Sequence, residues 1–301
     1  MFMPCIKTSL TVMIVFMGLG LFAQNNSVVK DGASPKLVSG QFVFTEGPAA
    51  DKKGNVYFTD QPNNAIWKYS INGKLTKYLD SAGRSNGLYF DKKGNLYTAA
   101  DDKNQLWRIN KNKNITVVVN NLDGKLLNGP NDLWIHPNGG IYFTDPFYWR
   151  DYWTRTKTME QPGQRVYYLP TGQQVPIPLT NNLKSPNGII GSPNGKHLFV
   201  ADIKDNKTWK YDILPDGTLT NATLLINQGS DGMTIDNLGN IYLTGKGVTV
   251  VSPEGKIIKQ IPINENWTAN VTFGGRKFNQ LFITASKSVY VLDMNVKGGG
   301  H

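Results

Sequence analysis

Six side chains with oxygen donors stand at the same position in six similar segments of the chain. Each precedes, by a few residues, a stretch such as DKKGNVYFTD, HPNGGIYFTD or DNLGNIYLTG. The six residues are Glu46, Asn86, Asn131, Asn187, Asp231 and Asn270. Carboxylate and amide oxygens suit Ca²⁺, which accepts about six to eight oxygen ligands in loose geometry, better than they suit Mg²⁺. If these positions converge in the fold, they predict a calcium site.

The spacing of the repeats predicts how these positions converge. The turn glycines follow one another after 40, 45, 56 and 44 residues, at Gly54, Gly94, Gly139, Gly195 and Gly239. This period is typical of a four-stranded blade of a β-propeller and not of a helical solenoid. Six repeats therefore predict an all-β, six-bladed propeller. Since the blades are arranged radially, a residue type that recurs at the start of each inner strand should face the central channel.

One connection is longer than its counterparts and should lie at the same end of the channel as the six polar positions. If the ring residues start the inner strands at the top, the glycine turns lie at the bottom, and the loop from second to third strand returns to the top. In the third repeat this loop covers residues 146–164 and contains Tyr148, Trp149 and Arg150. The sequence therefore predicts an aromatic and arginine-containing flap over the ring.

The last repeat lacks a strand. It supplies only three, around residues 271–274, 280–284 and 288–292. Residues 36–44 precede the first inner strand and alternate apolar with polar side chains, so they are the expected fourth strand. Pairing this N-terminal strand with the last blade would close the propeller and remove an open sheet edge.

The beginning of the chain is predicted to be a secretory signal. Residues 1–23 combine a basic residue, an apolar run and a small-residue cleavage site before Gln24. We expect a secreted or periplasmic protein with no stable membrane insertion after cleavage. The only cysteine, Cys5, lies in this segment, so the mature protein should contain no disulfide, thiolate metal site or cysteine nucleophile. No linker interrupts the repeats, and residues 24–301 are predicted to form a single domain.

The chain is basic, but the placement of its charges does not indicate a nucleic-acid surface. The formal net charge is +10, with 32 Lys and Arg against 22 Asp and Glu. Many lysines stand beside turn residues, as in Lys52-Lys53 and Lys92-Lys93, which favours solvated hairpin tips. We expect a small-molecule ligand and no nucleic acid, while the sequence leaves the oligomeric state open.

Two other kinds of site are disfavoured by the residue pattern. The histidines His136, His197 and His301 fall outside the ring positions and lack zinc-ligand spacing. The chain has no G-x-S-x-G motif, and Ser230 has no histidine partner that the sequence identifies. Asn-Gly and Asp-Gly pairs are, taken singly, common formers of tight turns, but a glutamate such as Glu46 has no such role.

Four motifs around the ring positions are the most specific part of the sequence. They are Glu46-Gly47-Pro48, Pro130-Asn131-Asp132 followed by YFTDP, Pro186-Asn187-Gly188 and Asp231-Gly232-Met233. With these motifs the chain resembles the family that contains senescence marker protein 30, gluconolactonases and related lactonases. The resemblance covers residues 37–297. It implies a six-bladed propeller with a calcium ion in the central channel, and an enzyme that hydrolyses a sugar lactone.

The resemblance also implies roles for four ring residues. The metal ligands of the family correspond to Glu46, Asn131, Asn187 and Asp231, and Asp231 is also the favoured general base. A calcium ion would polarise the lactone carbonyl while the carboxylate removes a proton from water. Consecutive side chains of a strand point to opposite faces. Asp132 is therefore predicted to point away from the face that carries its neighbour Asn131.

The same resemblance implies how the substrate is bound. The ring amides Asn86 and Asn131 are expected to contact the lactone. We expect Tyr148 and Trp149 of the flap to cover the sugar ring, as aromatic side chains often line pockets of this kind.

One position departs from the family pattern. In the senescence marker branch, an arginine that binds the sugar stands two residues before the ring Asn-Asp pair, whereas this chain has Gly129 there. Arg84 is expected to bind substrate in its place, with Arg150 as the other candidate.

Two other functions remain open on the sequence alone. A phosphotriester hydrolase of the same architecture would use the same metal and differ only in its pocket. A secreted propeller that only binds sugars or a partner protein is the second, since a fold alone does not fix an activity. Two carboxylates on the channel axis, Glu46 and Asp231, favour hydrolysis over plain binding. A quinone-dependent dehydrogenase is disfavoured, because the ring positions lack paired histidines and arginines.

Overall fold

The fold is a closed ring of six antiparallel sheets. The computed structural model describes Met1 and residues 27–300, so the predicted signal segment lies outside the described residues apart from Met1. Twenty-four strands form six four-stranded sheets, which confirms the six-bladed propeller predicted from the repeats. The described part of the chain contains one short 3₁₀ helix, Asp101–Lys103. None of its helices is long and apolar enough to span a bilayer.

The strands follow one another blade by blade, from the channel outward. Strand β1 (Lys36–Ser39) belongs to the last blade. Blade 1 comprises β2 (Thr45–Ala50), β3 (Val56–Asp60), β4 (Ala65–Tyr69) and β5 (Leu75–Asp80). Blade 2 comprises β6 (Ser85–Phe90), β7 (Leu96–Ala100), β8 (Gln105–Ile109) and β9 (Ile115–Val119). Blade 3 comprises β10 (Leu133–Ile135), β11 (Ile141–Asp145), β12 (Arg165–Leu169) and β13 (Ile177–Pro178).

The second half of the ring continues in the same order. Blade 4 comprises β14 (Pro186–Gly191), β15 (His197–Asp202), β16 (Lys207–Ile213) and β17 (Leu219–Ile226). Blade 5 comprises β18 (Met233–Ile235), β19 (Ile241–Gly245), β20 (Gly247–Val251) and β21 (Ile257–Ile261). Blade 6 comprises β22 (Thr268–Gly274), β23 (Gln280–Ala285) and β24 (Ser288–Asp293), with β1 as its outer strand.

The two ends of the described chain are joined in blade 6. Strand β1 pairs antiparallel with β24, with Lys36 opposite Val291. The closure predicted for residues 36–44 is therefore confirmed, although the strand itself ends at Ser39. Main-chain hydrogen bonds between the first and the last strand hold the ring shut.

The core lies between neighbouring blades, close to the channel. Second strands such as Val56–Asp60, Ile141–Asp145 and Ile241–Gly245 are buried along their whole length. Outer strands such as Ile257–Ile261 are mostly exposed. Neighbouring blades bury the second strands, and this apolar burial stabilises them. The inner strands pair with the second strands and are therefore held in position.

The ring residues are placed by irregularities in the inner strands. The ladder between first and second strand shifts register at the ring position of blades 1, 2 and 4, and such a β-bulge re-aims nearby side chains. The glycine after the ring residue allows the next blade to approach: a Cβ on Gly47 would lie 2.1 Å from the carbonyl oxygen of Asn86. A Cβ on Gly232 would lie 1.9 Å from the Asn270 side chain. These glycines therefore serve close strand packing and not hairpin turns.

Candidate active site at the upper end of the channel

The six ring residues predicted from the repeats surround one end of the central channel, which we call the upper end. Their inner strands touch in sequence, since a Cβ on Gly87 would lie 2.8 Å from the carbonyl oxygen of Asn131. Across the ring, Asn270 Nδ2 donates a hydrogen bond to Asp132 Oδ2 at 3.3 Å. Asp231 is half-buried, and the other ring residues are buried: Glu46, Asn86, Asn131, Asn187 and Asn270.

Two carboxylates act on each other in this ring. Burial raises the pKa of Glu46 well above its ordinary value, and the charge of Asp231 raises it further. The backbone N–H of Gly47, 2.8 Å from Glu46 Oε2, opposes that rise. Burial also raises the pKa of Asp231 to about 6, against the opposing effects of Trp267, Asn187 and the Arg150 charge. A bound cation would relieve this repulsion and favour both ionised forms.

Trp267 orients Asp231, and sequence reasoning missed it. The indole Nε1 donates to Asp231 Oδ2 at 2.6 Å. The tryptophan is itself held by Ser286, whose Oγ accepts from the Trp267 backbone N–H at 3.3 Å. With Oδ2 engaged, Oδ1 is the Asp231 oxygen available to the channel. The available signal was a tryptophan three residues before Asn270, without a counterpart in the other repeats.

Two amide oxygens of the ring have no partner. The Oδ1 atoms of Asn86 and Asn187 are buried and accept no hydrogen bond within the described residues. A buried polar atom left unpaired costs about 1–3 kcal/mol, which a bound cation or a substrate hydroxyl would offset. No three His, Cys, Asp or Glu side chains of residues 27–300 gather as a metal-binding group. A cation here must therefore use amide as well as carboxylate oxygens, a donor set that fits calcium.

Asp132 lies in the channel, so the prediction from strand alternation is wrong. Its Oδ2 accepts from Asn270 across the ring, and its Oδ1 accepts from the Leu133 backbone N–H at 2.9 Å. Strand β10 begins only at Leu133, so Asp132 precedes the strand and does not follow its alternation. Burial raises the pKa of Asp132 to about 7, against the opposing Leu133 N–H. The channel thus carries a third carboxylate beside Glu46 and Asp231.

Threonine hydroxyls fasten ring residues to the preceding blade. Thr59 of blade 1 donates from Oγ1 to the carbonyl oxygen of Asn86 in blade 2, at 3.2 Å. Thr144 of blade 3 donates in the same way to the carbonyl oxygen of Asn187 in blade 4, at 2.7 Å. Because these threonines belong to the repeated motif, each fixes a ring residue of the next blade.

The long connection of blade 3 covers this end of the channel, as its length and position predicted. It runs over residues 146–164, between β11 and β12. The Tyr148 hydroxyl lies 3.3 Å from Asn187 Nδ2 and 3.2 Å from Ser185 Oγ. The Arg150 guanidinium lies 5.9 Å from the centre of the Tyr148 ring. The flap therefore brings a tyrosine and an arginine to the ring.

Asp101, at the start of the 3₁₀ helix in blade 2, anchors the flap and was not predicted. Its Oδ2 pairs with Arg150 Nε at 3.1 Å and also accepts a hydrogen bond from the Tyr152 hydroxyl. Its backbone carbonyl accepts from Trp153 Nε1 at 2.8 Å. Burial raises the pKa of Asp101, and the Arg150 charge opposes this rise. Nothing in the repeat pattern marked this aspartate as a partner of a segment some fifty residues further along the chain.

Trp149, predicted to cover the sugar, makes its contacts within the flap. Its ring meets Trp153 edge-on, with centroids 5.7 Å apart, and Lys157 Nζ lies 5.2 Å from its centre. Its Nε1 is buried and has no partner among the described residues. A substrate contact of Trp149 stays a prediction.

Arg84, predicted to bind substrate, also contacts the flap and not the ring. Its Nη1 donates to the carbonyl oxygen of Pro62 at 2.7 Å. Its guanidinium lies 4.4 Å from the centre of the Tyr152 ring. The structure thus brings Arg150, the other candidate, nearer to the ring residues than Arg84.

The chain matches a known family over most of its length. Residues 44–287 match the SMP-30/gluconolactonase/LRE-like region. The chain belongs to the SMP-30/gluconolactonase/LRE-like family.

Relatives and solved structures of this kind cover most of the chain. A gluconolactonase of Zymomonas mobilis is 27% identical over 298 residues, covering 89% of this chain and 83% of that protein. A solved structure of a candidate gluconolactonase is 27% identical with a TM-score of 0.84, covering 91% of this chain and 97% of the other. Regucalcin of Agrobacterium tumefaciens, a calcium-binding protein, is 18% identical with a TM-score of 0.74, covering 89% and 96%. At that identity the likeness shows the fold alone.

The described histidines of this family member do not serve a serine nucleophile. His136 bonds to a backbone carbonyl in the neighbouring blade at 3.0 Å, and His197 pairs with a carboxylate of its own blade at 2.8 Å. Ser230 donates its hydroxyl to the carbonyl oxygen of Gly232. The third histidine, His301, lies outside the described residues. Within those residues, the ring chemistry consists of carboxylates and amides.

The opposite, lower end of the channel opens into a cavity of about 550 Å³. Its lining includes turn residues such as Lys92 and Lys93 and the segment 298–300. Asp132 and the ring residue Asn270 line it as well, so they separate the lower cavity from the rest of the upper ring. The unpartnered amide oxygens and the flap belong to the upper end, which is therefore the candidate site.

Proposed function

We propose that the chain hydrolyses a sugar lactone at the upper end of the channel, with Ca²⁺ held by the ring. The observation that carries this proposal is the meeting of unpartnered amide oxygens on Asn86 and Asn187 with the carboxylates of Glu46 and Asp231. Lactone hydrolysis needs a group that stabilises the developing oxyanion and a base that activates water. The ring offers ligands for the first and a carboxylate for the second.

The family relationship supports the reaction class. The Zymomonas relative is a gluconolactonase and is matched over most of both chains. The calcium-binding regucalcin shares the fold, which supports calcium as the cation. The flap lies against the ring at one end of the channel, which favours a small lactone as substrate.

Four ring residues are the proposed cation ligands. Glu46 and Asp231 would contribute carboxylate oxygens, and Asn131 and Asn187 would contribute amide oxygens. When bound, the cation would polarise the lactone carbonyl and stabilise the oxyanion. Asn86, whose oxygen is also buried without a partner, then remains available to bind the substrate together with Asn131.

Asp231 is the proposed general base. Trp267 holds Oδ2, so Oδ1 would serve both as the ligand atom and as the acceptor of a proton from water. Burial raises the pKa of Asp231 to about 6, so the carboxylate is ionised at neutral pH, and a bound cation would favour the ionised form further. Water then adds to the lactone carbonyl carbon and the ring C–O bond breaks. The proton held on Asp231 passes to the departing ring oxygen, which yields the hydroxy acid.

The flap would complete the site above the lactone. Tyr148, next to Asn187, would close over the substrate, and Trp149 would shield it from water from within the flap. We also propose that the mature protein acts outside the cytoplasm as a secreted or periplasmic enzyme, because residues 1–23 carry a signal pattern.

A comparison of ester classes tests the proposed function. Proton release from glucono-δ-lactone should be faster with calcium-loaded protein than with chelated protein, and Asp231→Asn protein should be slower than the wild type by roughly 10²-fold or more. Paraoxon, a phosphotriester, serves as the parallel substrate. Hydrolysis of paraoxon without hydrolysis of any lactone would contradict the proposal. The absence of turnover with both ester classes would also contradict it, and would indicate a protein that only binds its ligand.

A further inference from the structure

Position 129 leaves little room for a side chain in this fold. A Cβ on Gly129 would lie 3.0 Å from Asp101 Oδ1 and 3.1 Å from the Trp153 indole. An arginine two residues before the ring Asn-Asp pair would therefore displace the flap. The mouth of the channel instead carries the guanidinium groups of Arg84 and Arg150, each of which lies over a tyrosine of the flap.

Arg150 is held close to the ring with part of its guanidinium unused. Its Nε is bonded to Asp101 at 3.1 Å, and its side chain is 29% exposed. Its guanidinium lies over Tyr148, 5.9 Å from the ring centre, and the Tyr148 hydroxyl is 3.3 Å from Asn187 Nδ2. Within residues 27–300 no hydrogen bond engages Nη1 or Nη2. These two groups are therefore available at the mouth of the channel, near a ring amide.

Arg84 is committed to a different contact. Its Nη1 is bonded to the carbonyl oxygen of Pro62, and its guanidinium stacks on Tyr152. Tyr152 in turn donates to Asp101. Arg84 thus supports the anchor of the flap from outside and touches none of the ring residues through these bonds.

Asp101 can bind Arg150 because its hydrogen-bond partners differ from those of the aspartates in other blades. Asp60, Asp145 and Asp202 each end a second strand and accept two backbone N–H groups from the segment that enters their own blade. Asp101 follows Ala100, the last residue of β7, and its Oδ2 accepts from side chains of the flap and from Gln61. The Asp101 carboxylate, in blade 2, is therefore available to position Arg150.

We propose that Arg150, positioned by Asp101, binds hydroxyl groups of the lactone and makes the site selective for polyhydroxy lactones over unsubstituted ones. The inference rests on the proposed lactone hydrolysis and names its substrate class. A guanidinium presents five N–H donors in a rigid planar fork, and those on Nη1 and Nη2 suit the oxygens of adjacent sugar hydroxyls. A site built to bond a substrate hydroxyl disfavours the analogue that lacks it. Arg150 is thus a substrate-binding residue and Asp101 a positioning residue.

The test compares two lactones with the same six-membered ring. Glucono-δ-lactone carries the hydroxyls, and δ-valerolactone lacks them. In calcium-loaded protein, Arg150→Gln should lower kcat/KM for glucono-δ-lactone by roughly 10- to 100-fold, the range of one or two charge-assisted hydrogen bonds, mainly through KM. Its kcat/KM for δ-valerolactone should change by less than about threefold. Asp101→Asn should shift the same ratio in the same direction, by less.

Control variants separate Arg150 from general effects on the flap. Lys157→Gln removes a flap cation that lies over Trp149 and should leave the selectivity ratio unchanged, and Arg84→Gln should change it by less than about threefold. Arg150→Lys keeps the charge but not the fork and should show a smaller loss in the same ratio. Arg150→Lys is used in place of Arg150→Gln if thermal unfolding shows that the glutamine variant does not fold.

Binding of gluconate separates this inference from the proposed function. Calorimetry should show that the wild type binds gluconate and that Arg150→Gln binds it at least about tenfold more weakly, whether or not lactones are turned over. Equal losses for both lactones in Arg150→Gln would overturn the inference, since they would place the effect on the carbonyl or on folding. Loss of selectivity in Arg84→Gln but not in Arg150→Gln would overturn it as well.

Discussion

The ring and the flap meet at the same end of the channel but are held in place by different means. A ring residue is positioned by a strand bulge, by a glycine that admits the next blade, and by a threonine hydroxyl of the preceding blade. The flap is held by side chains that occur once, above all Asp101 and Trp153. Repeated backbone geometry thus positions the proposed ligands and base, whereas unique side-chain contacts position the residues above the substrate. Lesions in the two regions should therefore have separable effects.

The largest effect is expected for the base of the ring. Asp231→Asn keeps an oxygen ligand of the same shape but loses the proton acceptor, so turnover of a lactone should fall by roughly 10²-fold or more while calcium stays bound. Stopped-flow proton release and calcium calorimetry on the same preparation measure both quantities. Near-normal hydrolysis by the calcium-loaded variant would show that another group, such as Glu46, activates the water.

A smaller effect is expected for calcium affinity, and it separates ligands from substrate contacts within the ring. Glu46→Gln removes a charge at a proposed ligand and should weaken calcium binding by roughly tenfold or more, since cation affinity follows the charge of the ligand set. Asn86→Ala should change calcium affinity less, because Asn86 is assigned to the substrate. The reverse order in a calorimetric titration would overturn the division of the ring into ligands and substrate contacts.

The smallest effect is expected from a methyl group beneath the flap. Gly129→Ala places a Cβ 3.0 Å from Asp101 Oδ1 and 3.1 Å from Trp153, so the flap must shift. KM for a sugar lactone should rise roughly threefold to tenfold, with calcium affinity unchanged. Gly300→Ala is the matched control at the lower end, where the Cβ would meet only the Tyr89 hydroxyl, at 3.7 Å. A parallel loss of calcium affinity in Gly129→Ala would show that ring and flap are not independent.

The sequence predicted those parts of the structure that repeat. The recurring glycine turns indicated six blades. The ring residues were recognised because an oxygen-bearing side chain recurs at one position of six repeats, and because Glu46 has no role in a turn. The closing strand and the flap were predicted from a missing strand and from an enlarged loop. Each of these features is a difference in length or residue type between equivalent segments. Such differences can be read from a single sequence.

The remaining details of the site depend on contacts between residues distant in the chain. Asp132 lies in the channel because the backbone before β10 is not yet a strand, and regular alternation gave the wrong direction. Trp267 reaches Asp231 from the adjacent blade, and Asp101 reaches the flap from the blade before it. Neither contact leaves a periodic trace, because each occurs in one blade only.

The proposed cation site would make the stability of the protein depend on pH and on calcium together. The pKa of Asp132 is raised to about 7 and that of Asp231 to about 6 by burial, and that of Glu46 is raised well above its ordinary value. A carboxyl group with a raised pKa in the fold contributes stability when protonated, and this contribution is lost as the pH rises through the folded pKa. Burial also raises the pKa of Asp145, which lies outside the ring, to about 7. The stability that is lost when Asp145 ionises should not be restored by calcium.

Thermal unfolding with and without calcium tests this cation site most directly. In chelator, the Tm should fall as the pH is raised from about 5 to about 8, because the ring carboxylates ionise against one another. Saturating calcium should raise the Tm by about 5 °C or more near pH 8 and by much less near pH 5, where protons compete for the same oxygens. Glu46→Gln should lose most of the calcium shift. The same Tm with and without calcium near pH 8 would contradict the account, because the ring would then not be a cation site.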